Sequence, residues 1–484
     1  MNCVDFLFSE TYDKDKLLIL GQREQVSYGD IWSKVEKLSK WLNANYGSNN
    51  KVVLSSVNNS FFIIAYFAIM KSGNICIPLN PAIEKDQFIY ITDITSSNIS
   101  FLSRQVKARL GIGENTIDEL LLDNIISEDI VDHDVLISIE DNQPAQIIFT
   151  SGSTAEPKGV MISHGNIIAN TESIIDYLQL ASSDIMEVVL PFYYCYGLSL
   201  LHTHVKVGGS LVLNNNFMFL GSVINDLIKY KCTGFAGVPS HFQVLLRKSE
   251  TFKKSEFPHL RYVTQAGGKL PVPFIKEFIE TFPQIHFFVM YGQTEATARL
   301  SYLPPERLKD KLGSIGKGIP GVILDVVDKD GNSVDTGVDG EIVAKGKNVM
   351  LGYFNDLKST EDTIKNGWLY TGDLAHKDDD GYIYLTARAK EIIKVGGRRV
   401  SPKEIEEAIL AMPEIVDCTV IGYEDEVLGE ALKAIVVKNP EGQSLTSDDI
   451  KRHCSTLLAA YKIPGTVEFT DKVDVVATGK KIKK

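Results

Sequence analysis

FTSGSTAEPKGVMISHGN, residues 149–166, crowds glycine, serine, threonine and lysine into one short loop between two apolar stretches. The residues before it, QIIFTSG, read as a strand. Those after it, NIIANTESIIDYL, bring Ile167, Ile168, Ile174, Ile175 and Leu178 near one helical face. A polar loop at the carboxyl end of a strand is where open α/β sheets bind ligands. The loop is not a Walker A motif, which requires G-K-[ST] after the first glycine; here the order is Pro157, Lys158, Gly159. Thr150, Ser151, Ser153 and Thr154 offer hydroxyl donors, and Gly152 and Gly159 allow backbone N–H groups to turn inward around an anion. By composition alone a flexible polar surface loop is the lesser alternative.

Strand-like and helix-like stretches alternate on both sides of this loop, so the class is α/β. VVLSSV (Val52 to Val57) reads as a strand, and SFFIIAYFAIMKSG as an apolar helix closed by Gly73. HFFVM (His286 to Met290) is a strand that runs into YGQTEA, a second loop at a strand end. From Gly313 to Asp380 the turn signals DKDGN, DGE and DDDG predict short hairpins. DKDGNS lacks the glycine and closing glutamate of a calcium loop and reads as a surface turn. Beyond Arg388 a small α+β unit follows, with Ser401 as N-cap, Pro402 in the first turn and Glu404 completing a capping box.

The 484 residues suffice for two or three domains, and 44% hydrophobic with 23% charged residues is an ordinary globular balance. A net charge of −12 argues against nucleic acid as a partner. Basic and acidic residues are equal in number from Ala387 onward, so the excess acid lies before that point. The run FFIIAYFAIM is half a membrane span and no signal segment is evident, so a cytoplasmic protein, not integral to a membrane, is expected. Six scattered cysteines form neither a disulfide framework nor a zinc site, and the H-x-H of His202 and His204 has no further ligand at zinc spacing.

The string T-S-G-S-T-x-x-P-K-G resembles the phosphate loop of the adenylate-forming superfamily, which includes acyl- and aryl-CoA synthetases, peptide-synthetase adenylation domains and firefly luciferase. YGQTEA from Tyr291, YTGDL from Tyr370, RAKEIIKVGGRRVSPKEIE from Arg388 and TGKKIK from Thr478 resemble further motifs of that family, in the same order. The resemblance runs from about Val26 to the last residues. It implies a large N-terminal adenylation domain over 1–387, built of α/β subdomains and a small β-barrel-like part, and a small mobile α+β domain over 388–484 with its hinge at Lys390.

The resemblance also implies the chemistry: a carboxylic acid is joined to the α-phosphate of ATP, pyrophosphate leaves, and the acyl group passes to a thiol. Coenzyme A is the expected acceptor, and the phosphopantetheine arm of an acyl or peptidyl carrier protein is the alternative. A non-catalytic nucleotide-binding protein is the alternative of another class. By the same resemblance Lys158 supports the β and γ phosphates, Thr294 binds the α-phosphate and Glu295 ligates Mg²⁺. Gly267 and Gly268 let the backbone approach adenine, Tyr291 stacks on it, and Asp373 and Arg388 bind the ribose. Lys480 is the catalytic lysine, although the proline common ahead of this element is absent. Lys394, Gly396 and Gly397 border the pantetheine path.

Tyr193, Tyr194, Tyr196 and Phe242 suggest an apolar or aromatic acid pocket. Tyr194 stands where many acyl- and aryl-CoA ligases have histidine. Pro191 to Ser199 contains no acid to pair with an ammonium, which disfavours an amino-acid substrate.

Overall fold

The computed structural model describes residues 1–9, 13–22, 24–113, 115–128, 139–150, 157–388, 391–425 and 429–471. Two large sheets dominate. In the fourteen-stranded one, Ser210–Leu213, Ile185–Val188, Gly234–Gly237, Tyr262–Gln265 and His286–Tyr291 run parallel in that spatial order. The sheet continues antiparallel through Ser301–Leu303, Ser314–Gly318, Ile383–Arg388, Trp368–Lys377, Gly340–Gly346 and Val322–Val327. These last strands are the expected hairpin region. They form an open run: Val322–Val327 has Gly340–Gly346 as its one strand neighbour and meets only an isolated bridge from Val327 to Ser333 on its other edge, so among the described residues the barrel-like part is not a closed barrel.

The seven-stranded sheet holds the opening loop between Pro144–Thr150 and Lys158–Ser163, an antiparallel pair in which Thr150 faces Lys158. Helix Ser60–Lys71 is buried at every position from Phe61 to Met70. That is the fate of a helix apolar all round. It shares one apolar cluster with helices His164–Leu178 and Cys195–Val207 and with inward residues of both large sheets, such as Leu54, Ile148, Met186 and Met290. Ser163 caps the helix after the loop, with a reciprocal bond from Asn166. Along Tyr262–Gln265 and His286–Tyr291 the side chains alternate. Tyr262, Phe288 and Met290 join this cluster, whereas Val263, Phe287 and Val289 face a second one beneath helices Pro239–Lys248 and Val272–Thr281.

The C-terminal unit has a five-stranded sheet with helices Pro402–Leu410 and Ser447–Leu457. The capping box expected at Ser401 does not form. The Ser401 hydroxyl donates to the Thr386 carbonyl at 2.9 Å instead, and Glu404 takes an ion pair with Lys462 at 2.6 Å. Pro402 at the first helical position still fixes the start.

This unit docks on helix Pro239–Lys248. Arg247, 9% exposed, stacks over the Phe274 ring at 3.9 Å and pairs with Glu277 at 3.1 Å. Its Nη1 donates to the Leu410 and Met412 carbonyls, both at 3.0 Å, and to that of Ile415, so it covers the open end of helix Pro402–Leu410. Lys269 pairs with Glu407 at 2.9 Å beside it. Among the described residues, no helix is long and apolar enough to cross a membrane.

Candidate active site

Strand His286–Tyr291 delivers the loop Gly292–Glu295 to the centre of the site. Gly292 is required there, since a β-carbon would lie 2.0 Å from the Ala298 carbonyl oxygen. A single 3-10 turn, Thr294–Ala296, then presents Thr294 and Glu295. The turn is closed by Thr297, whose left-handed φ of 64° is held by its hydroxyl bond to the Asn348 carbonyl at 2.7 Å. Met350 N–H binds the Glu295 carbonyl at 2.8 Å.

The Glu295 carboxylate accepts from the Tyr353 hydroxyl at 2.9 Å. Lys158 lies over the Tyr353 ring, with its ammonium 5.0 Å from the centroid. Lys158 also binds the Ser359 hydroxyl at 2.5 Å and faces Asp356 at 3.7 Å. Burial first, and the Glu295 charge second, push the Tyr353 phenol well above its ordinary range, so it stays a donor. The sequence reading had no place for Tyr353, Asp356 or Ser359. They sit in the hairpin-rich stretch, about 200 residues from Lys158 in the chain, and only folding brings them together.

The second cluster is a cross-strand pair, Asp373 opposite Arg388. Arg388 Nε donates to Asp373 Oδ1 at 2.9 Å and the Tyr291 hydroxyl to Oδ2 at 2.7 Å. The Asp373 charge raises the Arg388 pKa further. Burial, reinforced by Asp373, raises that of Tyr291. Gly372, at φ 74°, turns its N–H onto Glu341 at 2.9 Å and fixes the corner. The Tyr291 ring, expected to stack on adenine, is 8% exposed and shares an apolar cluster with Leu300, Ile315 and Ile342, and its hydroxyl orients the Asp373 carboxylate. Each Asp373 oxygen keeps a lone pair for a hydroxyl donor such as a ribose.

Gly267, at φ 83°, shapes the neighbouring loop, and Gln265 Nε2 binds the Gly268 carbonyl at 2.8 Å. A β-carbon at Gly268 would press on Pro239 at 3.3 Å. Cys195 Sγ lies 3.6 Å from the Thr294 hydroxyl and so joins helix Cys195–Val207 to the centre. Tyr193 and Tyr194 meet with tilted rings, 4.7 Å between centroids, just before that helix. Tyr196 is buried, and its hydroxyl is bound to Thr264.

Phe242 is no pocket wall. It is fully buried against Phe235, Phe278 and Phe287, on the opposite face of the sheet from Tyr196. His202 is also a core residue, bonded to Tyr66 at 2.8 Å, and burial lowers its pKa to about 3. His204 behaves alike, near 4. No metal-binding group of three ligands occurs among the described residues.

Gly396 and Gly397, at φ 53° and 78°, form the two-residue turn between strands Ile393–Val395 and Arg398–Val400. A turn of that type wants positive φ at both positions, reason enough for two glycines. A β-carbon at Gly397 would meet nothing within 4 Å. Lys394 is exposed, with its N–H on Glu430 at 2.7 Å. Ser151, Gly152, Ser153, Thr154, Lys390 and Lys480 lie outside the described residues.

This geometry defines a nucleotide-handling enzyme of the adenylate-forming class. The chain belongs to the AMP-binding enzyme family, whose profile matches residues 9–354, with the AMP-binding enzyme C-terminal domain at 404–480. Within it, the chain is an acyl-CoA synthetase-like ligase. An oxalate–CoA ligase of Arabidopsis thaliana is 29% identical, covering 89% of this chain and 86% of its own. A long-chain-fatty-acid–CoA ligase of Yersinia pestis is 35% identical over 69% of this chain and 60% of its own. An ATP-bound MatB structure from Rhodopseudomonas palustris superposes with a TM-score of 0.88 at 25% identity, covering 99% of this chain and 96% of the other. An anthranilate CoA ligase holding anthranoyl-AMP reaches 0.90 at 22% identity, covering 99% and 95%.

Proposed function

We propose that this site forms an acyl-adenylate from ATP and a carboxylic acid and passes the acyl group to the thiol of coenzyme A, with the residues above in defined roles. The observation that carries the reading is the Tyr291–Asp373–Arg388 array one strand-end away from Thr294 and Glu295. The array offers a rigid acceptor for ribose hydroxyls, while Thr294 offers a hydroxyl donor to the α-phosphate next door. Binding energy gathered on the nucleoside thereby orients the α-phosphorus for attack.

In the first step an acid oxygen bonds to the α-phosphorus and the bond to the β-phosphate oxygen breaks, so charge moves onto pyrophosphate. Residues 151–156, together with Lys158, would receive that charge. Lys480 would approach the attacking carboxylate and the α-phosphate. In the second step a thiolate adds to the acyl carbonyl and AMP leaves. Glu295 fits Mg²⁺, a cation that takes one carboxylate, phosphate oxygens and waters; when bound it would screen phosphate charge.

The division at 387/388 falls at the end of strand Ile383–Arg388, and a swing of the C-terminal domain about Lys390 would let one site serve both steps. The printed names of the relatives cover oxalate, long-chain fatty acids and feruloyl groups, too broad a range to choose the acid. The test is pyrophosphate release and hydroxamate trapping over fatty, aryl, di- and amino acids, then thioester formation with CoA against a phosphopantetheinylated carrier protein. Failure to yield AMP with any acid and thiol, while ATP binds, refutes the reading.

A further inference from the structure

Arg299 lies four residues beyond Glu295 and is 2% exposed. The centre of its guanidinium is 4.0 Å from the Tyr196 ring centroid. Its Nε reaches Met290 Sδ at 3.3 Å, and Nη1 reaches the carbonyl of the adjacent Ala298 at 3.4 Å. A thioether is a weak acceptor, and 3.4 Å is a long contact. No carboxylate pairs with Arg299 among the described residues. Arg247, the other arginine this deeply buried, shows the usual arrangement: an acid partner and three carbonyls.

An uncompensated buried cation costs several kcal/mol. The groups around it are phenols and amides. Tyr177 donates to the same Met290 sulfur, and Asn170 and Asn348 bind the Arg299 carbonyl, not its side chain. The fully buried Tyr262 hydroxyl, in the same cluster as Met290 and Tyr196, has no hydrogen-bond partner among the described residues.

Tyr196 stands in the first turn of the helix whose Cys195 touches Thr294, and Met290 immediately precedes Tyr291. The guanidinium, without a carboxylate partner among the described residues, therefore packs behind the ring of a residue that begins the helix in contact with Thr294. We propose that Arg299 reads the far end of the substrate and that the substrate is a dicarboxylic acid: one carboxylate is activated, and the second pairs with the Arg299 fork.

This deepens the ligase reading and rests on it. Guanidinium suits a carboxylate because two parallel N–H donors match its two oxygens. The absence of acid in Pro191–Ser199 agrees, since an ammonium would meet a cation here. The pocket is then polar at its closed end, not apolar throughout.

The experiment compares kcat/KM for pyrophosphate release with succinic, glutaric and adipic acids against butyric, valeric and hexanoic acids, in the wild type, Arg299→Met and Arg299→Lys, with ATP binding as the folding control. The wild type is expected to favour a diacid over its monoacid by ~10²-fold or more. Arg299→Met should lose most of that preference and gain monoacid turnover, and Arg299→Lys should keep part of it. A wild type that prefers monoacids overturns the proposal, whether or not the variants fold. So does an Arg299→Met enzyme that loses both acid series in proportion, which would mark Arg299 as packing for Tyr196. If no acid releases pyrophosphate, the ligase reading itself falls and takes this inference with it.

Discussion

Arg247→Met should loosen the C-terminal lobe without touching the nucleotide site. Methionine keeps an apolar side chain over Phe274 but removes every donor to the Leu410, Met412 and Ile415 carbonyls and the partner of Glu277. Bonds from a charged donor contribute ~1.5–3 kcal/mol each and do not add fully. Breaking a buried charged contact costs ~3–5 kcal/mol. Of the polar contacts that remain, the Gln243–Asp417 hydrogen bond is long at 3.3 Å, and the Lys269–Glu407 pair is partly solvated, at 24% and 29% side-chain exposure, in the range of about 0–1 kcal/mol. A loss near 3 kcal/mol shifts the docked-to-undocked ratio by about 150-fold. Small-angle scattering should show a larger radius of gyration, with adenylation and thioester rates changing by different factors. Unchanged scattering together with unchanged rates for both steps would refute the claim that Arg247 holds the lobes together.

Glu187, in the middle of strand Ile185–Val188, is fully buried with neither oxygen hydrogen-bonded among the described residues, and burial, then nearby Asp226, raise its pKa strongly. The folded state therefore binds a proton the unfolded state has released. The stability this contributes is whole below the unfolded pKa near 4.3 and is lost as pH rises toward the folded value; Glu187→Gln should flatten that decline in urea titrations from pH 5 to 8. Gly292→Ala must move the Ala298 backbone, and a melting temperature or adenylation rate equal to the wild type would contradict the tight approach described. Lys480→Ala should retain ATP binding and lose acyl-adenylate formation, measured by pyrophosphate exchange. Gly397→Trp should block thioester formation while sparing adenylation, and equal loss of both would remove Gly397 from the thiol path.

Elements whose signals are local could be read from the sequence. The strand before Thr150, the helix capped at Ser163, the apolar helix ending near Gly73 and the turn at Asp328 all stand where hydrophobic period and turn residues put them. The capping box at Ser401 is absent because its side chain turns to donate to the Thr386 carbonyl, which takes its oxygen away from the helix N–H groups it would accept. Phe242 and Tyr196 look alike as aromatic residues in nearby segments, yet the sheet separates them, because helix Pro239–Lys248 packs on one face and helix Cys195–Val207 on the other, which composition does not encode. Tyr353 beside Glu295, and the neutral surroundings of Arg299, arise from chain segments far apart, which no local pattern encodes.

Tyr353 touches both charged side chains of the site, Glu295 through its hydroxyl and Lys158 through its ring face, and this has a consequence for ion exchange. A cation arriving at Glu295 displaces one neutral hydroxyl and breaks no ion pair found among the described residues, whereas Lys158 must loosen its contacts with Ser359 and Asp356 before it can follow an anion.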